Sequence, residues 1–235
     1  MAMKSINFLH RFLDFVNPRT CVVCGCRLAS TEWVLCNKCN LHLPRTYFSA
    51  HAYDNDMAKL FWGQIPIERA AALSHYEHHA DSANIIYQLK YRDHPEIGQI
   101  MGRMLATEIS YDAFFDGIDG IVPVPLTKDR LRRRGYNQSL EIAKGVSKVT
   151  GLPIYNDVVR RVLFVDSQTA KSRWSRHENV ALAFQLVDGA PIAGKHLLVV
   201  DDVVTTGATV IAFAKELVKD GHVKISVLSL GCTHR

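Results

Sequence analysis

The chain has no uninterrupted apolar run of the roughly 18 residues that a membrane-spanning helix needs. A helical membrane span is therefore excluded as an expectation. Internal repeats and low-complexity stretches are also lacking, which argues against a solenoid or a disordered tail. Beyond Cys39 only one cysteine remains, Cys232, so a disulfide framework across the body of the chain is not expected. Near the start, the apolar stretch is broken at His10, Arg11 and Asp14, and no small-residue cleavage site follows it. That combination does not read as a secretion signal. Ile6, Leu9, Leu13 and Val16 recur instead at spacings of three and four. They predict an amphipathic helix over residues 1–18 whose apolar face packs on the body of the protein, with membrane-surface binding as the competing use.

At 235 residues the chain suits one full domain with a small appendage. The net charge of +5 is mild, but its placement is uneven: Lys128 to Arg134 gathers five positive charges into seven residues. Such a cluster suits phosphate or nucleic acid, and it also occurs as plain solvated surface.

Five of the six cysteines lie between positions 21 and 39. Cys21-Val22-Val23-Cys24 and Cys36-Asn37-Lys38-Cys39 form two CxxC knuckles with eleven residues between them. Each knuckle brings two thiolates to one metal, and two complete a tetrahedral S4 site of the kind zinc favours. With no position left open, the zinc is expected to be structural. The set is Cys21, Cys24, Cys36 and Cys39, within a module over 19–45, although Cys26 could replace Cys24 in a slipped register. Cys232 is expected in the core. Clustered cysteines without a secretion signal point to a reducing compartment, so the expected location is cytoplasmic.

From 51 to 235 strand and helix patterns alternate. Ala70–Tyr76, Ile118–Val124, Leu197–Val200 and Val223–Leu230 read as strands. Ala83–Tyr91, Ile97–Tyr111, Leu140–Val149 and Thr209–Val218 read as helices. Alternating elements with unalternating apolar strands imply an α/β fold with a mostly parallel sheet covered on both faces.

The stretch Leu197 to Thr209 carries the most chemistry. A buried strand meets two acids, Asp201 and Asp202, and then a turn, Thr205-Thr206-Gly207-Ala208-Thr209, that opens a helix. Carboxylates at the C-terminal end of a parallel strand stand where such sheets bind ligands. Two of them can accept hydrogen bonds from the vicinal hydroxyls of a ribose. The free amides of the turn suit a phosphate, favoured further by the helix dipole, and Gly207 lets the backbone come close. Together they define a 5-phosphoribosyl site.

These residues resemble the phosphoribosyl pyrophosphate (PRPP) signature of type I phosphoribosyltransferases. More of the chain is similar to one branch of that group, the ComF/GntX proteins of bacterial competence and DNA utilisation. The shared features are the cysteine knuckles, Leu89-Lys90-Tyr91, Val122-Pro123-Val124-Pro125, Arg134-Gly135-Tyr136-Asn137-Gln138, and Gln168 with Arg176, Asn179 and Phe184. The resemblance implies a type I phosphoribosyltransferase fold and binding of PRPP with magnesium, with Lys90 at the pyrophosphate. It also implies a mobile loop over Arg130 to Gln138, in which Arg134, Tyr136, Asn137 and Gln138 act in a pentosyl (glycosyl) transfer. His177, beside Arg176, reads as a surface histidine.

Three functions stay open at this point. One is an enzyme passing 5-phosphoribose to an unknown nitrogenous acceptor. Another is a non-catalytic PRPP sensor that handles single-stranded DNA, with Arg130, Arg132, Arg133 and Arg134 on the phosphates and Tyr136 stacked on a base. The last is an adaptor whose zinc module docks a helicase or another protein of DNA uptake.

Overall fold

A computed structural model of the chain describes residues 18–162, 184–219 and 223–233. The predicted N-terminal helix, and Gln168, Arg176, His177 and Asn179, lie outside the described residues.

Four parallel strands form the central sheet: β1 (Ile67–His75), β2 (Gly120–Pro123), β5 (His196–Val204) and β6 (Lys224–Cys232). Their order across the sheet is β1-β6-β5-β2. Two further strands, β3 (Val159–Arg161) and β4 (Phe184–Leu186), make a small antiparallel pair of their own. The helices in chain order are α1 (Asn37–Leu41), α2 (Asp56–Lys59), α3 (Ala83–Tyr91), α4 (Pro95–Ile109), α5 (Lys128–Arg134), α6 (Gln138–Thr150) and α7 (Ala208–Leu217). Among the described residues no helix is long and apolar enough to cross a membrane.

Leu197 to Val200 are all inaccessible to solvent, and successive strand residues point to opposite faces. Leu198 and Val200 join a core with Leu89, Met101, Leu105 and Ile142 from α3, α4 and α6. Leu197 and Val199 join a second core with Met57, Val210 and Phe213 from α2 and α7, together with Val159 and Phe184 of the small sheet. An unalternating apolar strand is thus satisfied, because both of its sides are covered. This is the architecture that the sequence pattern implied, a parallel sheet flanked by helices with a cysteine cluster ahead of it.

On the first face α4 and α6 cross unusually closely. A methyl group on Gly102 would run into the carbonyl of Ile142, and one on Gly145 into the carbonyl of Gln99. Both glycines serve as notches that let one backbone rest on the other.

Three elements depart from the sequence reading. The strand expected to end in the two aspartates continues past them to Val204, paired with β6 as far as Cys232. The arginine-rich stretch expected as a loop is the helix α5. Thr127 caps its start by accepting from the Arg130 amide, and Gly135, with φ of 76°, ends it. The reason is local: a threonine cap, an acid in the first turn and three arginines in the last all favour a helix. The short β3–β4 pair had too few residues to show a period.

Candidate functional site

The β5 ladder holds Asp201 and Asp202 at the C-terminal edge of the sheet. After them Thr205 and Thr206 are exposed, and Gly207 adopts a φ of 77° that only glycine tolerates easily. A side chain there would also press on the Phe61 ring, 3.0 Å from where its Cβ would lie. Helix α7 starts at Ala208. Gly207 gives it no side-chain cap, and its first turn holds no acid. The Ala208 amide donates to Thr206 Oγ1 at 3.4 Å within the turn.

The two carboxylates have different surroundings. Asp202 is nearly buried and pairs with Lys90, Nζ to Oδ1 at 2.9 Å. Oδ1 of Asp201 accepts from the Ser139 hydroxyl at 3.0 Å and from the Asp202 amide at 2.9 Å. Burial, and then the neighbouring charge of Asp202, push the Asp201 carboxyl up to about 7, against the pull of those hydrogen bonds and of Lys90.

Lys90 lies in the last turn of α3. Its carbonyl neighbour is fixed by Tyr136, whose hydroxyl donates to the Leu89 carbonyl at 2.7 Å. Tyr136 is half-buried against the core, and desolvation raises its phenol. Its hydroxyl is thus committed to the backbone and its ring to the core, which leaves it badly placed to stack on a base. Asn137 is likewise committed. Its side-chain oxygen accepts from the Ser139 amide at 3.1 Å, and its Nδ2 donates to the Val124 carbonyl at 3.0 Å. In doing so it caps α6 and ties that helix to the end of β2.

The Arg134 guanidinium donates to Gln138 Oε1 at 2.8 Å and lies 5.5 Å from the Tyr91 ring centre. Gln138 is buried, and among the described residues its Nε2 has no hydrogen-bond partner. Arg130, Arg132 and Arg133 are exposed on α5. Of the five side chains expected at the reaction, then, Lys90 touches the acidic pair directly. Arg134 and Gln138 form a neighbouring pair, and Tyr136 and Asn137 hold the frame.

Two residues near the acids escaped sequence reasoning. Ser139 follows the matched stretch by one position and precedes the helix read from Leu140, and only the structure puts it in the first turn of α6. Arg161, at the end of β3, lies over the Phe184 ring at 5.1 Å. Its guanidinium is pulled down by burial and by the charge of Arg130, and pushed up by Asp201. Only the small antiparallel sheet places it there.

At the other end of the chain the sulfur atoms of Cys21, Cys24, Cys36 and Cys39 lie within 4.8 Å of one another. Those of Cys24 and Cys36 are 3.8 Å apart. A tetrahedral zinc with bonds of about 2.3 Å has sulfur–sulfur edges of about 3.8 Å, so the set can hold a metal ion and its spacing suits zinc. Backbone amides support the sulfurs: Cys36 donates to Cys21 Sγ and Cys39 to Cys36 Sγ, both at 3.4 Å. Cys26 is exposed and outside the group of four, while Cys232 is buried in the core as expected.

No family model matches the chain. Curated proteins do. A DNA utilization protein YhgH of Escherichia coli CFT073 is 30% identical over 213 residues, which cover 89% of this chain and 88% of that protein. The chain belongs to the ComF/GntX family. Among other ComF/GntX relatives, the YhgH of Escherichia coli K12 is also 30% identical over 213 residues. Competence protein F of Haemophilus influenzae Rd is 28% identical over 211 residues, covering 88% of each chain. Solved structures with some likeness include a glutamine PRPP amidotransferase from B. subtilis complexed with ADP and GMP, at 21% identity and a TM-score of 0.37. That match covers 59% of this ComF/GntX chain and spans 30% of the amidotransferase.

Proposed function

We propose that this ComF/GntX protein binds PRPP together with magnesium at Asp201 to Thr209 and transfers its 5-phosphoribosyl group to a nitrogenous acceptor, in the service of DNA utilisation. The observation that carries the reading is one edge of β5. Two adjacent carboxylates stand beside a helix start whose first turn holds no acid, with Lys90 already paired to Asp202 at 2.9 Å.

In this reading the carboxylates of Asp201 and Asp202 take the ribose hydroxyls. The amides and hydroxyls of Thr205, Thr206 and Thr209 take the 5-phosphate. Two adjacent acids also suit a hard, oxygen-loving cation, and bound magnesium would supply charge neutralisation for the pyrophosphate. The bond from ribose C1 to the pyrophosphate oxygen breaks, and the leaving group takes the electron pair. A bond from C1 to the acceptor nitrogen forms, and that nitrogen gives up its proton. Lys90 would exchange Asp202 for the pyrophosphate, and Arg134 would add positive charge on the same side. Tyr136 and Asn137 position these groups through the backbone of α3 and α6.

Calorimetry tests the reading. Wild type is expected to bind PRPP only with magnesium, and Asp201→Asn/Asp202→Asn to lose that binding. No binding by a folded, metal-loaded wild type would overturn the proposal. Binding without pyrophosphate release across a panel of acceptors would identify a sensor instead of an enzyme.

A further inference from the structure

Arg161 is a cation on the inner face of the small sheet. Side chains alternate along β3: Arg160 is exposed and donates to Gln185 Oε1, while Val159 and Arg161 point the other way. Across the pair, Arg161 stands opposite Phe184 and Val159 opposite Leu186. Val159 and Phe184 are buried in the core that α7 covers. The Phe184 ring also packs against Phe213 of that helix, with centres 5.3 Å apart. Every other residue on this face is apolar, and a half-buried charge is costly unless it is paired.

Arg161 is not paired. Among the described residues no carboxylate forms an ion pair with it and no acceptor takes its N–H donors. Asp201 acts on it only from a distance, and burial and the charge of Arg130 both disfavour its charged form. What holds the guanidinium is the Phe184 ring, 5.1 Å from it. A guanidinium laid on an aromatic ring keeps its planar fork of donors free, and that fork fits a carboxylate with two hydrogen bonds. Position agrees with this use. Leu89, next to Lys90, belongs to the core on one face of the central sheet, and Phe184 belongs to the core on the other. Lys90 and Arg161 thus reach the end of β5 from its two sides. A displacement at ribose C1 keeps the entering and leaving groups apart. With pyrophosphate on the Lys90 side, the acceptor stands on the side of Arg161.

We infer that Arg161 is the residue that selects the acceptor, and that the acceptor is a planar nitrogenous compound bearing a carboxylate. One guanidinium balances one negative charge, which suits a carboxylate better than a phosphate dianion. The inference rests on the sugar-phosphate reading for where the acceptor stands, and adds its chemical class.

The test is binding measured by ligand-observed NMR, with magnesium and ribose 5-phosphate present so that the sugar site is filled without a leaving group. Two pairs of rings serve as probes: nicotinate against nicotinamide, and orotate against uracil. Wild type is expected to bind the acid of at least one pair about tenfold or more tightly than its neutral partner, the gain of a hydrogen-bonded charge. Arg161→Gln should abolish that preference, and Arg161→Lys should keep its sign but lose part of it. Arg160→Gln removes the same charge from the exposed side of the strand and should bind as wild type. Equal binding, or none, in both pairs would overturn the inference, as would a preference that survives in Arg161→Gln. Calorimetry with PRPP and magnesium on Arg161→Gln should match wild type, whereas loss of PRPP binding there would assign Arg161 to PRPP and overturn the inference too. The same titration on wild type reads the sugar-phosphate site on its own, so the two readings fail separately.

Discussion

Asp201 shows how one side chain carries two opposed demands. It stands on a buried strand beside a second carboxylate, and both features favour its neutral form, lifting its carboxyl to about 7. An acid whose pKa is higher in the folded chain than in the unfolded one stabilises the fold only while it stays protonated. The contribution is complete below about pH 4 and is lost as pH rises through 7. Asp201→Asn cannot ionise and escapes that loss. Its stability should therefore climb relative to wild type between pH 4.5 and pH 8, by an amount on the order of 2–4 kcal/mol, read as a widening gap in melting temperature. A gap that does not change with pH would show that the carboxylate is well solvated. Asn137 gives the opposite lesson. Its place in the matched stretch suggested chemistry, yet both ends of its amide are committed to the backbone. The residue type was legible in the sequence, but the direction of its side chain was not.

At the scale of elements, the α4–α6 crossing decides where the acidic pair finds its neighbours. Helix α6 begins with Asn137 and Ser139, and Ser139 reaches Asp201. The crossing depends on Gly145, where an added Cβ would collide with the Gln99 carbonyl and lie 2.9 Å from the Arg103 amide nitrogen. Two effects compete in Gly145→Ala. Helix propensity alone would add about 1 kcal/mol of stability. Backbone cannot rotate out of the way as a side chain can, so overpacking should cost about 2–3 kcal/mol and prevail. The urea midpoint is expected to fall, and a rise would mean that the helices separate without penalty. Elements with a long period were readable from the sequence: Ala83–Tyr91 coincides with α3, and α4, α6 and α7 begin and end within two residues of the reading. The three-residue strands β3 and β4 were not readable. Helix α5 was expected as a loop because the family resemblance implied one there, although its cap and its arginine-rich last turn specify a helix.

For the whole molecule, the cysteine module is built into the body of the protein. Cys21, Leu28, Val34, Leu35 and Leu43 share one core with Leu73, Leu89 and Leu230. Arg45 ties the module to α4, donating to both carboxylate oxygens of Glu108 at 2.7 Å and to the Asn40 carbonyl at 2.6 Å. This partly buried fork is worth more than an exposed ion pair. Losing the metal should therefore reach the sheet. Cys36→Ser is expected to lower the bound zinc from one per chain to about zero and to lower the melting temperature in a single transition, read by elemental analysis and calorimetry. An unshifted transition in the zinc-free protein would show that the module stands by itself.

By itself the sequence determined the parallel α/β class, the four thiolates and the turn from Asp201 to Thr209. Each of these is a short-range pattern: a run of apolar residues, a two-residue gap between cysteines, a strand meeting a helix. The tertiary structure decided what lies across from them. Lys90 meets Asp202 over 112 positions of chain, Ser139 reaches Asp201 over 62, and Tyr136 closes on Leu89 over 47. Such pairings are set by how helices cross and which face of a strand they cover. No spacing along the chain encodes that, because the burial of two separate cores fixes it only when all the elements are in place.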